Sequence, residues 1–323
     1  MKDRTAAVSG TCAEASNGLS AVGAQFAPSA YPLAMALHRL DQTVDLDAPV
    51  LVSAFEGWVD AGSAGTLAAA ELARGSRVVA TFDADRLFDY RARRPTLDIV
   101  DGRLQSLEWP QLQLRANRLG QRDLLILSGP EPDFLWQELA ADVASLAAQL
   151  HVATWVSMGA IPVAAPHTRP VTVLGTASAP GLLPPGVSQG PIGHLRVPSA
   201  VLSVLELSAS ASRIPAVGFF AQVPHYVSAT YPGAAIELLR HVGTFLGQEL
   251  SLGDLPARAL ETRSLLDAAT SADERTAAYV KRLEAAADEA RLPEGDSLIS
   301  DIERFLREGG GERGGGNGGR QLN

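Results

Sequence analysis

The sequence predicts an α/β fold, a mostly parallel sheet flanked by helices, and three observations carry that prediction. Short β-branched runs alternate with longer helical stretches between the two ends of the chain, which is the pattern of repeated strand–helix–strand units. Residues 50–55 read as a buried strand, followed at once by an Ala/Leu helix over 62–73 that Gly75 closes. After Leu250 the strands stop and the chain reads as helical to Glu308.

Taken in order, residues 77–82 form the next strand, and 123–128, 152–158, 171–176 and 216–222 supply four more. Helices fall near 134–150, 199–212 and 233–250. The order of strands in the sheet does not follow from these runs. One segment breaks the alternation: 97–100, Asp101-Gly102 and 103–107 read as a hairpin, because Asp-Gly suits the positive φ angles of a tight two-residue turn. Such an excursion near 96–108 either covers a site or supplies a subunit contact. The contact is favoured, since a projecting hairpin must bury its apolar face somewhere. Beyond Leu250, Ser271-Ala272-Asp273-Glu274 fits a capping box, and Tyr279, Leu283 and Ala287 then share one helical face. A final helix starting at Asp296 or Ser297 carries a second stripe of Leu298, Ile302, Phe305 and Leu306. Helices packed on the core are the simpler reading of these stripes; a lid over a pocket is the other. The expected organisation is a mobile segment over 1–30, an α/β core over 31–250, a helical unit over 251–308 and a glycine-rich tail over 309–323.

Composition sets the functional bounds. The chain has 323 residues and a net charge of -9, so it lacks the basic stripe that displaces phosphate counterions, and nucleic acid is excluded as a partner. Cys12 is the only cysteine, which excludes disulfide scaffolds and cysteine zinc sites and suits a reducing cytoplasm. No signal peptide precedes the core and no apolar run is long enough to span a membrane.

The polar residues with chemical potential follow predicted strands directly, where a parallel sheet forms its ligand crevice. The first strand ends in Glu56-Gly57-Trp58-Val59-Asp60, the third in Ser128-Gly129-Pro130-Glu131, and later segments are Pro166-His167-Thr168-Arg169-Pro170 and Val223-Pro224-His225-Tyr226. Glu56, directly after an apolar strand, is expected to be partly buried, which raises a carboxyl pKa and suits acid/base work; a structural hydrogen bond is the alternative. Asp60 reads as a cap of the next helix before it reads as catalytic. His167 and Arg169 fit a turn or interface element, or an anion-holding site. His225 with Tyr226 is either a packed pair or a second acid/base. Together, Glu56 and His225 are the catalytic candidates, and Gly57, Asp60, Glu131, His167, Thr168, Arg169 and Tyr226 are the ligand-binding ones. No metal-ligand spacing, P-loop, dinucleotide fingerprint or Gly-x-Ser-x-Gly elbow occurs, so no cofactor is implied; Ser63 and Ser128 are possible nucleophiles by position alone.

The series Phe55-Glu56-Gly57-Trp58-Val59-Asp60-Ala61-Gly62, Glu108-Trp109-Pro110, Gly129-Pro130-Glu131-Pro132, Pro166-His167-Thr168-Arg169-Pro170 and Val223-Pro224-His225-Tyr226 resembles the actinobacterial branch of the proteasome assembly chaperone 2 family. Tyr279-Val280-Lys281-Arg282-Leu283-Glu284 and Glu303-Arg304-Phe305-Leu306 extend the likeness. The resemblance implies a core like that of purine nucleoside phosphorylases and related hydrolases, a homotrimer joined through the hairpin, and C-terminal helices covering a small-molecule pocket. It implies no agreed reaction, so an enzyme here would run hydrolase- or phosphorylase-like acid/base chemistry, and an assembly chaperone or scaffold with protein partners is the alternative. One departure stands out. Relatives tend to carry an aromatic-Glu-Gly-Pro-Thr-Gly segment before a helix, whereas this chain has Leu195-Arg196-Val197-Pro198-Ser199-Ala200. Without those glycines, backbone N–H groups approach an anion less closely.

Overall fold

The structure is a computed structural model and describes residues 36–42 and 44–289. In chain order its strands are β1 (His38–Leu40), β2 (Val50–Glu56), β3 (Arg77–Phe82), β4 (Thr96–Val100), β5 (Arg103–Glu108), β6 (Gln113–Leu119), β7 (Arg122–Pro130), β8 (Thr154–Val163), β9 (Val173–Ala177), β10 (Ser188–Gln189) and β11 (Ala216–Pro224). The helices are α1 (Ala64–Leu72), α2 (Ala84–Leu87), α3 (Trp136–Gln149), α4 (Val201–Ala211), α5 (Pro232–Leu246), α6 (Leu255–Ser271) and α7 (Glu274–Glu289).

Nine strands make one sheet in the order β1-β3-β6-β7-β2-β8-β11-β9-β10. The four central strands β7, β2, β8 and β11 are parallel, so their carboxyl ends share one edge. Antiparallel strands flank them: β6, β3 and β1 on one side and β9 on the other. The parallel core follows from burial on both faces. Along β2, Leu51 and Phe55 point into a layer with Leu125, Leu139, Trp155 and Leu205, where α3 and α4 pack. Val50, Val52 and Ala54 point the other way, among Ala68, Ile126, Phe219 and Leu238 of the α1 and α5 layer. A strand with no solvent face keeps no polar alternation, which is why these runs were readable as strands.

The hairpin forms as the Asp-Gly pair requires. Asp101 and Gly102 have φ of 49° and 73°, and β4 and β5 pair only with each other in a sheet of their own. A bulge leaves Gln105 unopposed between the pairs Asp98–Ser106 and Ile99–Leu104. That extra residue returns Leu104 to the face of Leu107, so Leu97, Ile99, Leu104 and Leu107 line one side. Thr96, Asp98, Ser106 and Glu108 line the other, where Ser106 Oγ donates to Asp98. Every residue of the hairpin is exposed.

After Leu250 come α6 and α7. The capping box is displaced by two residues: Ser271 ends α6 and donates to the Asp267 carbonyl, while the Asp273 carboxylate accepts from the Thr276 N–H and hydroxyl to start α7. The Asp side chain wins because it satisfies the N3 donor of the next helix, a task Ser271 cannot reach from inside the previous one. Of the α7 stripe read from the sequence, Leu283 is buried and Tyr279 and Ala287 are half-buried; Val280, outside that stripe, is buried beside them, and Leu255 anchors the start of α6. The expected mobile ends and the stripe Leu298, Ile302, Phe305 and Leu306 lie outside the described residues. No helix among the described residues is long and apolar enough to cross a membrane.

Candidate functional site

The parallel strands deliver the candidate residues to one edge of the sheet, where they fall into two groups. The first lies where β2 and β7 end. Glu131 accepts the Trp58 N–H on Oε2 at 3.0 Å and the Val201 N–H on Oε1 at 2.8 Å, and its own N–H donates to the Glu56 carbonyl at 2.9 Å. Val201 opens α4, so this carboxylate stands where an anion would meet the helix N-terminus. Gly57 makes room for it: a Cβ there would overlap the Glu131 carboxylate and Cβ. The space left between Phe55, Trp58, Val59, Glu131, Ala200 and Leu202 is about 10 Å³, a single water at most.

Glu56 departs from expectation. It is 63 % exposed rather than partly buried, because the last residue of β2 passes beyond the helical cover, and it faces Arg93 at 3.7 Å. Asp60 takes its capping role. Oδ1 accepts the Gly65 N–H at 2.7 Å and the Thr66 N–H at 3.3 Å, and Oδ2 accepts the Thr66 hydroxyl, so the carboxylate closes the first turn of α1 across the left-handed Gly62 and Ser63. Burial pushes its pKa up, against the hydrogen bonds to Thr66 and Gly65 that pull it down.

The second group lies beyond β8 and β11, under α6 and α7. His167 is 2 % exposed. Its Nδ1 meets the Tyr226 hydroxyl at 2.7 Å and its Nε2 meets Asp267 Oδ1 of α6 at 3.1 Å. The same hydroxyl accepts the His167 N–H at 2.7 Å. An ionised Asp267 can only accept, so a neutral His167 carries its proton on Nε2, and Tyr226 donates to Nδ1. Arg263 closes the ring: its Nε donates to Asp267 and its Nη1 to the His167 carbonyl at 2.8 Å. Thr168 donates to Glu284 of α7, and Arg169 makes a two-pronged pair with Asp288 at 2.8 and 2.7 Å, which raises the Arg169 pKa. His225 donates from Nδ1 to the Val163 carbonyl at 3.1 Å and accepts from the Tyr279 hydroxyl on Nε2 at 3.2 Å. Burial raises the pKa of Tyr226, more than Arg263 and the His167 N–H lower it.

The sequence reading thus missed Arg263, Asp267 and Asp288 altogether, and named Tyr279 and Glu284 without their role as partners of the strand-end residues. Arg263/Asp267 and Glu284/Asp288 fall at fourfold spacing, so each pair shares a helix face, which is the only local sign of them. Between the 167–171 loop, the start of α5 and α6 lies a cleft of about 200 Å³, lined by His167, Arg169, Tyr231, Gly233, Thr262 and Arg263 among others. No group of three or more His, Cys, Asp or Glu among the described residues is placed to hold a metal ion.

Comparison with known proteins follows this geometry. A protein of unknown function from Mycobacterium tuberculosis is 33 % identical with a TM-score of 0.74, over 80 % of this chain and 93 % of that one. A proteasome-assembly chaperone homologue from the same organism is 34 % identical with a TM-score of 0.65, over 72 % of this chain and 99 % of that one. An archaeal proteasome activator from Pyrococcus furiosus shares the fold at 17 % identity, with a TM-score of 0.55 over 72 % and 97 % of the two chains. Among curated proteins, none matches. The PAC2 family model matches residues 54–270, a span that holds β3 to β11, all the candidate residues at the strand ends and nearly all of α6, and the chain belongs to the PAC2 family.

Proposed function

We propose that this chain is a cytoplasmic protein-assembly module, a core to Leu250 with a helical unit fastened onto it, which associates with copies of itself through the β4–β5 hairpin and presents the assembled surface to protein partners. One observation carries the reading. The hairpin turns four large aliphatic side chains to one side, and Leu104, the most exposed of them, is 72 % accessible. An uncovered apolar face on a two-stranded ribbon is unstable alone and marks a contact surface. Kinship supports it, since the family includes a proteasome-assembly chaperone homologue 34 % identical to this chain. We take the trimer implied by the resemblance as the expected state. Sedimentation of the wild type and of an Ile99→Asp/Leu104→Asp variant tests the proposal. The wild type should run as a trimer and the variant as a folded monomer, whereas a wild type that is monomeric at micromolar concentration refutes it.

A second reading has its own observation, the cleft of about 200 Å³ beside Arg169, Arg263 and the start of α5. A small anionic molecule would suit these cations and helix N–H groups. In that reading Arg169 and Arg263 bind the anion, with Tyr226 fixing His167 and Thr168 fixing the loop behind them, while Gly57, Asp60, Glu131 and the acid/base candidates Glu56 and His225 lie outside the cleft lining. Phosphate or a dicarboxylate should then raise the melting temperature of the wild type and not of Arg263→Ala.

A further inference from the structure

Two stretches of the described chain, residues 96–109 and 191–199, are the longest in which every residue is exposed. The first is the hairpin with Trp109. The second is a strap without regular structure between β10 and α4, and it carries Ile192, Leu195 and Val197 at 96 %, 58 % and 63 % exposure. Trp58, 69 % exposed, stands beside the end of that strap: Trp58, Ala200 and Leu202 border one small space, and Glu131 bonds both the Trp58 and the Val201 N–H groups. Among the described residues, most large exposed apolar side chains therefore sit on the hairpin or on this strap and its tryptophan.

We propose that the strap and Trp58 of one copy receive the apolar face of the hairpin of a second copy. This rests on the reading that the hairpin joins copies, and adds what it docks against. The two surfaces match in three ways. Both are apolar and uncovered on the same chain. Their net charges are opposite, because the strap holds His194 and Arg196 with no carboxylate, while the hairpin carries Asp98, Asp101 and Glu108 against the single Arg103; Asp98 and Glu108 lie on the face turned away, so this charge steers the approach rather than pairing inside the contact. Their shapes fit as well: both outer edges of the ribbon are unpaired, and a strand formed by 195–197 on such an edge would put Leu195 and Val197, two residues apart, on one side. Glu131 holds the Trp58 backbone N–H, which fixes where the exposed indole leaves the main chain and presents it as an aromatic anchor. A contact between two different patches is head-to-tail, and repetition closes a ring or grows a filament.

The test uses full-length chains carrying Cys12→Ser, in which Leu104→Cys and Val197→Cys are placed on separate, differently tagged copies and co-expressed. A short thiol cross-linker should join the two tags into a mixed dimer, several-fold above the dimer formed by either variant alone. Val197→Asp in otherwise native chain should lose the oligomer while keeping its circular dichroism. If the wild type is an oligomer but the mixed dimer is no more abundant than the single-variant dimers, the docking surface is wrong and the hairpin reading stands. If the wild type is a monomer, both fall. A Leu104→Cys/Val197→Cys chain that cross-links only within itself also overturns the proposal, because hairpin and strap would then meet in one copy.

Discussion

Glu131 offers the sharpest test of how the strand ends are held. Its carboxylate links the Trp58 loop to the first turn of α4 through two backbone donors, at 3.0 and 2.8 Å. In Glu131→Gln one oxygen becomes an NH₂ group that faces a donor. The amide will orient its oxygen to Val201, whose N–H lies in the first turn of α4, and the loss will fall on Trp58, whose N–H can find water. A hydrogen bond to a charged group contributes about 1.5–3 kcal/mol net, so the lower end applies, about 1.5 kcal/mol. Glu131→Ala removes both bonds and should cost about 3 kcal/mol. At roughly 2 °C per kcal/mol for a chain of this size, the apparent melting temperatures should fall by about 3 and about 6 °C. The alanine variant also vacates an anion site on a helix N-terminus, so molar acetate should recover part of its loss and do less for the wild type. Scanning calorimetry with and without acetate measures this. Melting of both variants within about 1 °C of the wild type, or equal acetate response in all three, would refute the assigned role.

Two further outcomes test the rest of the edge. Tyr226→Phe leaves the His167 N–H and Nδ1 without their partner inside a buried site, at about 1–3 kcal/mol each, so urea unfolding should show a loss of about 2–6 kcal/mol and faster amide exchange in α6; unchanged exchange there would detach His167 from the helix. Glu206 of α4 sits against Ser157 and Thr176, and burial raises its pKa more than those hydroxyls lower it. A folded pKa above the unfolded value stabilises the protein below the unfolded value, and that contribution disappears as pH rises through the folded one. Glu206→Gln should therefore melt above the wild type near pH 8 and converge with it near pH 4, and a pH-independent difference would contradict the assignment.

How much of this was legible depended on whether the cause was local. Strands β2, β7, β8 and β11 were readable because burial on both faces leaves them mostly apolar, with small buried serines such as Ser53 and Ser157 as the interruptions. Strand β6 was not, since Gln113, Arg115, Asn117 and Arg118 give it the look of a loop. Those side chains serve neighbours instead: Arg115 binds Ser76, and Asn117 caps the Leu72 and Arg74 carbonyls. Of the site, the residue set and its position after strands were readable, and so was the capping role of Asp60. The partners were not. His167 meets Asp267 a hundred residues later, and Glu131 meets Trp58 and Val201 only because β2 and β7 are neighbours, so no window of sequence contains either pair. The burial expected for Glu56 failed for the same reason, as it depended on where the helical cover ends.

These partners change what the polar edge means. A general base needs a lone pair aimed at substrate, and a ligand-binding arginine needs donors to spare. His225 spends its acceptor nitrogen on Tyr279, His167 spends both nitrogens on Tyr226 and Asp267, and Arg169 places its fork on Asp288. The bonds run from the strand ends to α6 and α7, beside a modest apolar contact: Leu255, Val280 and Leu283 are the buried side chains those two helices contribute, with Ala259 and Leu266 partly buried on the core. A helical pair fastened mostly by charge-assisted hydrogen bonds can detach without exposing much core, whereas the bonds re-form with water at small net cost. The arrangement therefore favours an edge built for fastening, with its uncovered apolar surface placed on the hairpin and strap, over an edge built for a reaction.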